Sequence, residues 1–230
     1  VKDSILSVMR AHLEKPRTKL GWKGLVYDPR LDGSNDIQLG ILKGRRLLLE
    51  IADLALPIST ELLDPYIFSY YRDLVSYAAI GARTSSSQIH RQVASQLSLP
   101  VGIKNTVEGN IETATNAIAF SRVPQSFIAP QLNGVPAIVN SFGNPLTHLI
   151  LRGSLASTNF DEDSIEQATE LLKKEDLSSP IIIDCAHGNK TDGCQRDAFE
   201  ASLLQMAKPG SQVAGIMLEC YLRGGSHQEP

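Results

Sequence analysis

Arg10, Lys15, Arg17, Arg83, Lys104 and Arg152 are cations that lie at or just beyond the ends of short apolar runs. Arginine presents a planar fork to phosphate or carboxylate, and lysine a compact charge that can also move a proton. Unpaired cations are costly to bury, so a convergence of several makes sense if the ligands bring more than one anionic group. A structural network, with each cation on its own carboxylate, is the rival reading. His187 and Glu219 end two successive runs and are candidates to ligate a divalent metal together, with Glu61 and Asp184 beside the ligands or the substrate. The alternative for His187 is a structural histidine behind a buried strand.

The elements that must position these groups alternate in type. Met9, Ala11 and Leu13 form the apolar face of a first strand, and Arg10, His12 and Glu14 its polar face. Pro16 cannot donate to a ladder, so the strand stops there and hands Lys15, Arg17 and Thr18 to a loop. Leu25 to Gly40, rich in Asp, Asn and Gly, reads as a long loop. Helices are predicted over Ile41 to Ala52, Ile67 to Tyr77, Ser87 to Leu97, Ile111 to Phe120, Ser164 to Lys174 and Asp197 to Met206. Between them lie strand-like runs at Ala55 to Leu63, Ala78 to Ala82, Leu99 to Ile103, Leu146 to Leu151, Pro180 to Ile183 and Val213 to Leu218. Ser126 to Ala129 and Ala137 to Asn140, with no helix between them, are predicted to pair as a hairpin. Setting the hairpin aside, strands alternating with helices argue a parallel sheet, and ionisable residues at every strand end argue a (β/α)8 TIM barrel. A doubly wound sheet is the rival, but the chain has no Gly-x-Gly-x-x-Gly and no phosphate-binding Gly-Lys-Ser/Thr loop.

The 230 residues suit one domain spanning residues 1–230. A net charge of -3, from 22 basic and 25 acidic residues, gives no polyelectrolyte signal, which argues against nucleic acid as a partner. No apolar run approaches the roughly 18 residues of a membrane span, and Val1-Lys2-Asp3 has no signal-peptide architecture, so the expectation is a cytoplasmic protein away from membranes. Cys185, Cys194 and Cys220 fit free thiols in a reducing compartment.

The motifs Glu14-Lys15-Pro16-Arg17-Thr18, Gly21-Trp22-Lys23-Gly24, Gly81-Ala82-Arg83-Thr84, Gln88-Ile89-His90-Arg91, Pro100 to Asn105, Ile150-Leu151-Arg152-Gly153, Asp184 to Asn189 and Gly215 to Glu219 occur in this order. Together they resemble type I 3-deoxy-D-arabino-heptulosonate 7-phosphate (DAHP) synthase over nearly the whole chain. That resemblance implies a metal-dependent (β/α)8 barrel, here lacking the first strand and the C-terminal segment and carrying an inserted β-hairpin. It implies condensation of phosphoenolpyruvate with erythrose 4-phosphate, the first step of the shikimate pathway. Arg10, Lys15, Arg83, Lys104 and Arg152 then correspond to the phosphoenolpyruvate-binding cations, and Lys15, Pro16, Arg17 and Thr18 to the erythrose 4-phosphate site. His187 and Glu219 correspond to two of four ligands of a divalent metal such as Mn2+. Lys15, His187 and Glu61 carry the implied catalysis, Lys15 as proton donor to the aldehyde oxygen.

The same resemblance implies a homo-oligomer and makes an aromatic amino acid a candidate effector, although Pro65 to Tyr71 departs from the usual sequence. The family's cysteine ligand precedes the start of this chain and its aspartate ligand follows the end, so the chain reads as truncated at both ends. Such a barrel would expose ladder edges and is expected to associate. Smaller departures are Thr106-Val107-Glu108-Gly109 and Ser154, which stands where a second glycine is usual. A different class of function, a degenerate barrel that binds phosphorylated ligands or a partner subunit without catalysis, is the alternative. Lys15-Pro16-Arg17-Thr18 argues against the related octulosonate 8-phosphate synthase.

Overall fold

Short β-branched and small-residue runs form parallel strands, and the amphipathic stretches between them form helices, in a computed structural model that describes residues 5–131 and 133–220. The chain divides into two units: one runs to Ala79 and takes in Phe127–Val139, and the other holds Ile80–Ser126 and continues from Asn140.

In the first unit β1 (Met9–Arg10) pairs in parallel with β2 (Ile58–Glu61), and β2 with β3 (Tyr77–Ile80). Regular β1 is shorter than the alternation predicts, although Ala11 N–H still donates to the Ser59 carbonyl at 2.8 Å. Ala11 and Leu13 are buried as expected; Glu14, assigned to the polar face, is buried too. Helix α1 (Ile37–Asp53) starts earlier than its apolar periodicity suggests, because Asp36 caps it by accepting from Leu39 N–H at 3.1 Å. Gly40 lets α1 lie directly on the chain at Val26: a Cβ there would sit 1.9 Å from the Val26 carbonyl oxygen. Helix α2 (Pro65–Phe68) is one turn, capped by Asp64 with Pro65 in its first turn. The expected helix to Tyr77 fails because Ser76 N–H is drawn to the Ile58 carbonyl at 2.8 Å and Tyr77 opens β3.

The second unit has helices α3 (Gln88–Gln96) and α4 (Glu112–Arg122) on either side of β4 (Val101–Lys104) in sequence. The segments β5 (Gln125–Pro130) and β6 (Pro136–Ser141), whose larger parts fall in the first unit, pair as a two-stranded sheet of their own. Then come β7 (Thr147–Leu151), α5 (Glu162–Lys174), β8 (Ile181–Asp184), α6 (Arg196–Met206) and β9 (Val213–Met217). Within this unit β4, β7, β8 and β9 are hydrogen-bonded neighbours in that order, each parallel to the next. Every residue of β4 and β7 is buried, the continuous burial of parallel strands covered on both faces. Asp161 caps α5 through Ser164 N–H at 2.9 Å, with acids in the first turn and Lys173 and Lys174 in the last, both favourable to the helix dipole.

Candidate active site

Parallel register brings the carboxyl ends of the second unit's strands to one edge. Lys104 lies beside Ile150, two residues before Arg152, and Asp184 beside Met217, two residues before Glu219. Lys104 Nζ donates to Asp184 Oδ2 at 2.5 Å, with Lys104 only 5% exposed and Asp184 fully buried. Removing either partner would strand the other's charge in the interior. Asp184 Oδ1 accepts from Ala186 N–H at 3.0 Å, and Oδ2 also lies 3.1 Å from His187 Nδ1. A carboxylate on Nδ1 holds the proton there and leaves the Nε2 lone pair for a ligand. Nε2 faces Glu219 Oε1 at 3.6 Å. Glu219 is itself set by Gln195, which donates to its carbonyl at 2.8 Å and accepts from its N–H at 3.0 Å.

His187 occupies the left-handed backbone region at φ 56°, a conformation that costs a non-glycine residue on the order of 1 kcal/mol. It begins a 3-10 turn, His187–Asn189, that projects the ring from the end of β8. One imidazole nitrogen and one carboxylate oxygen on neighbouring strand ends suit a divalent cation such as Mn2+ or Zn2+. Among the described residues no group of three or more His, Cys, Asp or Glu side chains is arranged to hold a metal. Cys185, two residues before His187, is buried, and burial pushes its thiol up to about 11.

Arg152 follows β7 and is only 8% exposed. Its Nη1 makes one long bond, 3.4 Å to the Gly153 carbonyl, and its Nε is buried with no hydrogen-bond partner among the described residues. Burial pushes its guanidinium below the ordinary arginine value; Asp184 and Glu108 oppose that and nearby Arg83 adds to it. A desolvated cation with a donor to spare is a place for an anion. Arg83 itself is exposed, three residues past β3.

In the first unit Arg10 is half-buried on β1, and its Nη1 has no hydrogen-bond partner among the described residues. Lys15, Pro16 and Arg17 are half-buried and Thr18 is exposed. Their loop is clasped by the following segment: Lys15 N–H donates to the Lys23 carbonyl at 2.9 Å, Val26 N–H to the Leu13 carbonyl at 3.1 Å, and Arg17 Nε to the Trp22 carbonyl at 2.5 Å. Gly24, at φ 104°, permits this, since a Cβ would lie 2.6 Å from the Leu13 carbonyl oxygen. A cleft of about 270 Å³ beside the clasp is lined by Trp22, Lys23, Tyr27 and Asp28, among others.

Glu61 ends β2, half-buried. It contributes to an acidic cluster that sequence reasoning missed. Glu14 is 7% exposed, and its carboxyl is pushed up to about 8, first by burial and then by the charges of Asp64 and Glu61. Tyr27 donates to Asp64 Oδ2 at 3.0 Å, and burial beside these acids pushes the Tyr27 and Tyr71 phenols up as well. The structure thus groups Lys104, Arg152, Asp184, His187 and Glu219 in one unit, and Arg10, Lys15, Pro16, Arg17, Thr18 and Glu61 in the other.

The family model described as the DAHP synthetase I family matches residues 1–229. This chain belongs to that family. It is 44% identical over 230 residues to the Trp-sensitive phospho-2-dehydro-3-deoxyheptonate aldolase of Enterobacter agglomerans, covering 99% of the chain and 66% of the relative. To the Tyr-sensitive enzyme of Escherichia coli it is 41% identical, covering 98% of the chain and 64% of the relative. The solved phospho-2-dehydro-3-deoxyheptonate aldolase of Francisella tularensis superposes with a TM-score of 0.87 at 36% identity, over 92% of this chain and 62% of that one. The chain therefore spans a little under two thirds of the length of these relatives.

Proposed function

We propose that the protein is a DAHP synthase, joining phosphoenolpyruvate to erythrose 4-phosphate with uptake of water and release of inorganic phosphate. The observation that carries this reading is the strand-end set in the second unit, where a buried arginine with a spare donor follows one strand and an imidazole–carboxylate pair follows the next two. In this family those residue types serve an anionic substrate and a metal.

In the proposed reaction Arg10, Lys15, Arg83, Lys104 and Arg152 bind the phosphate and carboxylate of phosphoenolpyruvate. Lys15, Pro16, Arg17 and Thr18 take the phosphate of erythrose 4-phosphate. The carbon–carbon bond forms when C3 of phosphoenolpyruvate attacks the aldehyde carbon, and Lys15 gives a proton to the aldehyde oxygen. Glu61 stands beside phosphoenolpyruvate as its acidic neighbour, water adds at C2, and phosphate leaves. His187 and Glu219 would hold the divalent metal, whose chemistry when bound is to polarise the aldehyde. Asp184 keeps the Nδ1 proton of His187 in place, leaving Nε2 free to ligate.

The finer structural reading follows from the same family. The alternation of parallel strands and helices, and the likeness to the Francisella enzyme, support a single (β/α)8 barrel domain with β5 and β6 as an inserted hairpin. The Trp and Tyr sensitivities in the relatives' names are the ground for an aromatic amino acid effector. We take the protein to be a cytoplasmic homo-oligomer on the family resemblance; no described helix is long and apolar enough to cross a membrane.

The deciding experiment follows phosphate release from phosphoenolpyruvate with Mn2+, with and without erythrose 4-phosphate. Release that needs both substrates and falls at least a hundredfold in Lys15→Ala supports the assignment. Folded protein that releases nothing, or releases phosphate without the aldehyde, rules it out.

A further inference from the structure

Three asparagines that the proposed reaction does not use are buried around the ends of β4, β7 and β8: Asn105, Asn159 and Asn189. Their side chains are joined through almost every polar atom. Asn105 Oδ1 accepts from Arg152 N–H at 2.9 Å and from Asn159 Nδ2 at 3.2 Å, while its Nδ2 donates to the Gly153 carbonyl at 2.9 Å. Asn159 Oδ1 accepts from Gly153 N–H at 2.7 Å, and its backbone N–H donates to Asn189 Oδ1 at 2.8 Å. Asn189 Nδ2 closes the circuit on the Asp184 carbonyl at 2.9 Å and the Leu151 carbonyl at 3.3 Å.

These bonds hold two turns against each other. Gly188 N–H donates to the Arg152 carbonyl at 3.1 Å. The turns touch backbone to backbone: a Cβ on Gly153 would lie 2.4 Å from the Gly188 carbonyl carbon, and one on Gly188 would lie 2.2 Å from the Ser154 carbonyl oxygen. One turn carries Arg152, and the other carries His187 in its left-handed conformation. Neither turn has room to shift without the other. A circuit of satisfied amides in the interior is rigid, because each broken bond leaves a buried polar atom unpaired.

We infer that Asn105, Asn159 and Asn189 act as one positioning unit that locks the Arg152 turn to the His187 turn, so that the anion on Arg152 and the divalent cation on His187 are bound in one fixed frame. This rests on the functional reading above for what the two turns bind. Asn159 belongs to no strand or helix and lies 54 residues from Asn105 and 30 from Asn189 in the chain. Its side chain holds Gly153 and Asn105 while its backbone N–H holds Asn189, so freeing the side chain unseats the one residue that spans both turns.

The test measures two affinities separately on the whole protein: Mn2+ by electron paramagnetic resonance and phosphoenolpyruvate by calorimetry. Asn159→Ala is expected to weaken each by about tenfold or more, the scale seen when a group that orients a metal ligand is removed. Asn105→Ala should do the same, and the double variant should lose little beyond either single one, since all three changes open the same circuit. Leu172→Ala, on the buried side of α5, supplies a variant of lowered stability that should leave both affinities unchanged. Should Asn159→Ala not fold, Asn159→Asp keeps the acceptor for Gly153 N–H, loses the donor to Asn105, and should weaken Mn2+ in the same direction. Unchanged affinities in the folded asparagine variants, loss of only one of the two, or equal losses in Leu172→Ala would each overturn the inference while leaving the functional reading intact. A wild-type protein that binds neither probe would overturn both.

Discussion

Glu14 holds a carboxyl where solvent cannot reach it and where Asp64 and Glu61 repel its charge. Burial and like charge act in the same direction, so the folded protein keeps this proton up to about pH 8, whereas the unfolded chain releases it near 4.5. Between those values the unfolded state binds fewer protons than the folded one, so stability falls as pH rises through the window and levels off above it. The whole effect is on the order of a few kcal/mol, since each tenfold change in proton affinity is worth roughly 1.4 kcal/mol. Glu14→Gln removes the titration, and we expect urea midpoints of this variant to lose the decline that wild type shows from pH 5 to pH 8. An equal decline in both proteins would mean that other groups carry it. The alternation from Met9 to Glu14 located this side chain on a face shared with Arg10 and His12 but not its burial, because the covering groups come from Tyr27 and Asp64, distant in the chain.

Helix α1 shows how a residue that looks wrong for its element can be required by its neighbours. Gly40 and Gly44 interrupt a helical sequence where glycine costs about 1 kcal/mol relative to alanine. Propensity alone predicts that Gly40→Ala stabilises. Close approach predicts the reverse, because the added methyl would meet the Val26 carbonyl at 1.9 Å and backbone cannot move aside cheaply. We expect Gly40→Ala to lose about 1–3 kcal/mol in chemical denaturation, the cost of overpacking, and a gain would refute the packing account. The same competition between local preference and contacts explains α2. Its apolar spacing continues to Tyr77, but the ladder to β2 recruits Ser76 and Tyr77 first.

For the molecule as a whole, the functional reading makes a thermodynamic demand. A ligand that binds only the folded state raises stability by RT ln(1 + [L]/Kd), about 2.7 kcal/mol at a hundredfold excess over Kd. In a chain of 230 residues this corresponds to a rise in melting temperature of roughly 5–10 °C. Scanning calorimetry with saturating phosphoenolpyruvate and Mn2+ is expected to show that rise, and erythrose 4-phosphate alone a smaller one. Calorimetry with no rise at saturation would leave the strand-end cations without their proposed ligand.

Local patterns determined much of this protein from the sequence alone: the order of strands and helices, the cations and acids at strand ends, and the linked motifs that mark the family. Those features are written in consecutive residues, through apolar periodicity, caps such as Asp161 and short polar signatures, so reading them needs no partner from elsewhere in the chain. Tertiary structure alone decided which strand ends meet. It set Lys104 on Asp184 across 80 residues, assembled an amide circuit that includes Asn159 from an irregular loop, and buried Glu14 among other acids. The reason is that ladder register and side-chain hydrogen bonds are satisfied between distant segments, and a sequence carries no local mark of which distant donor will fill a given acceptor.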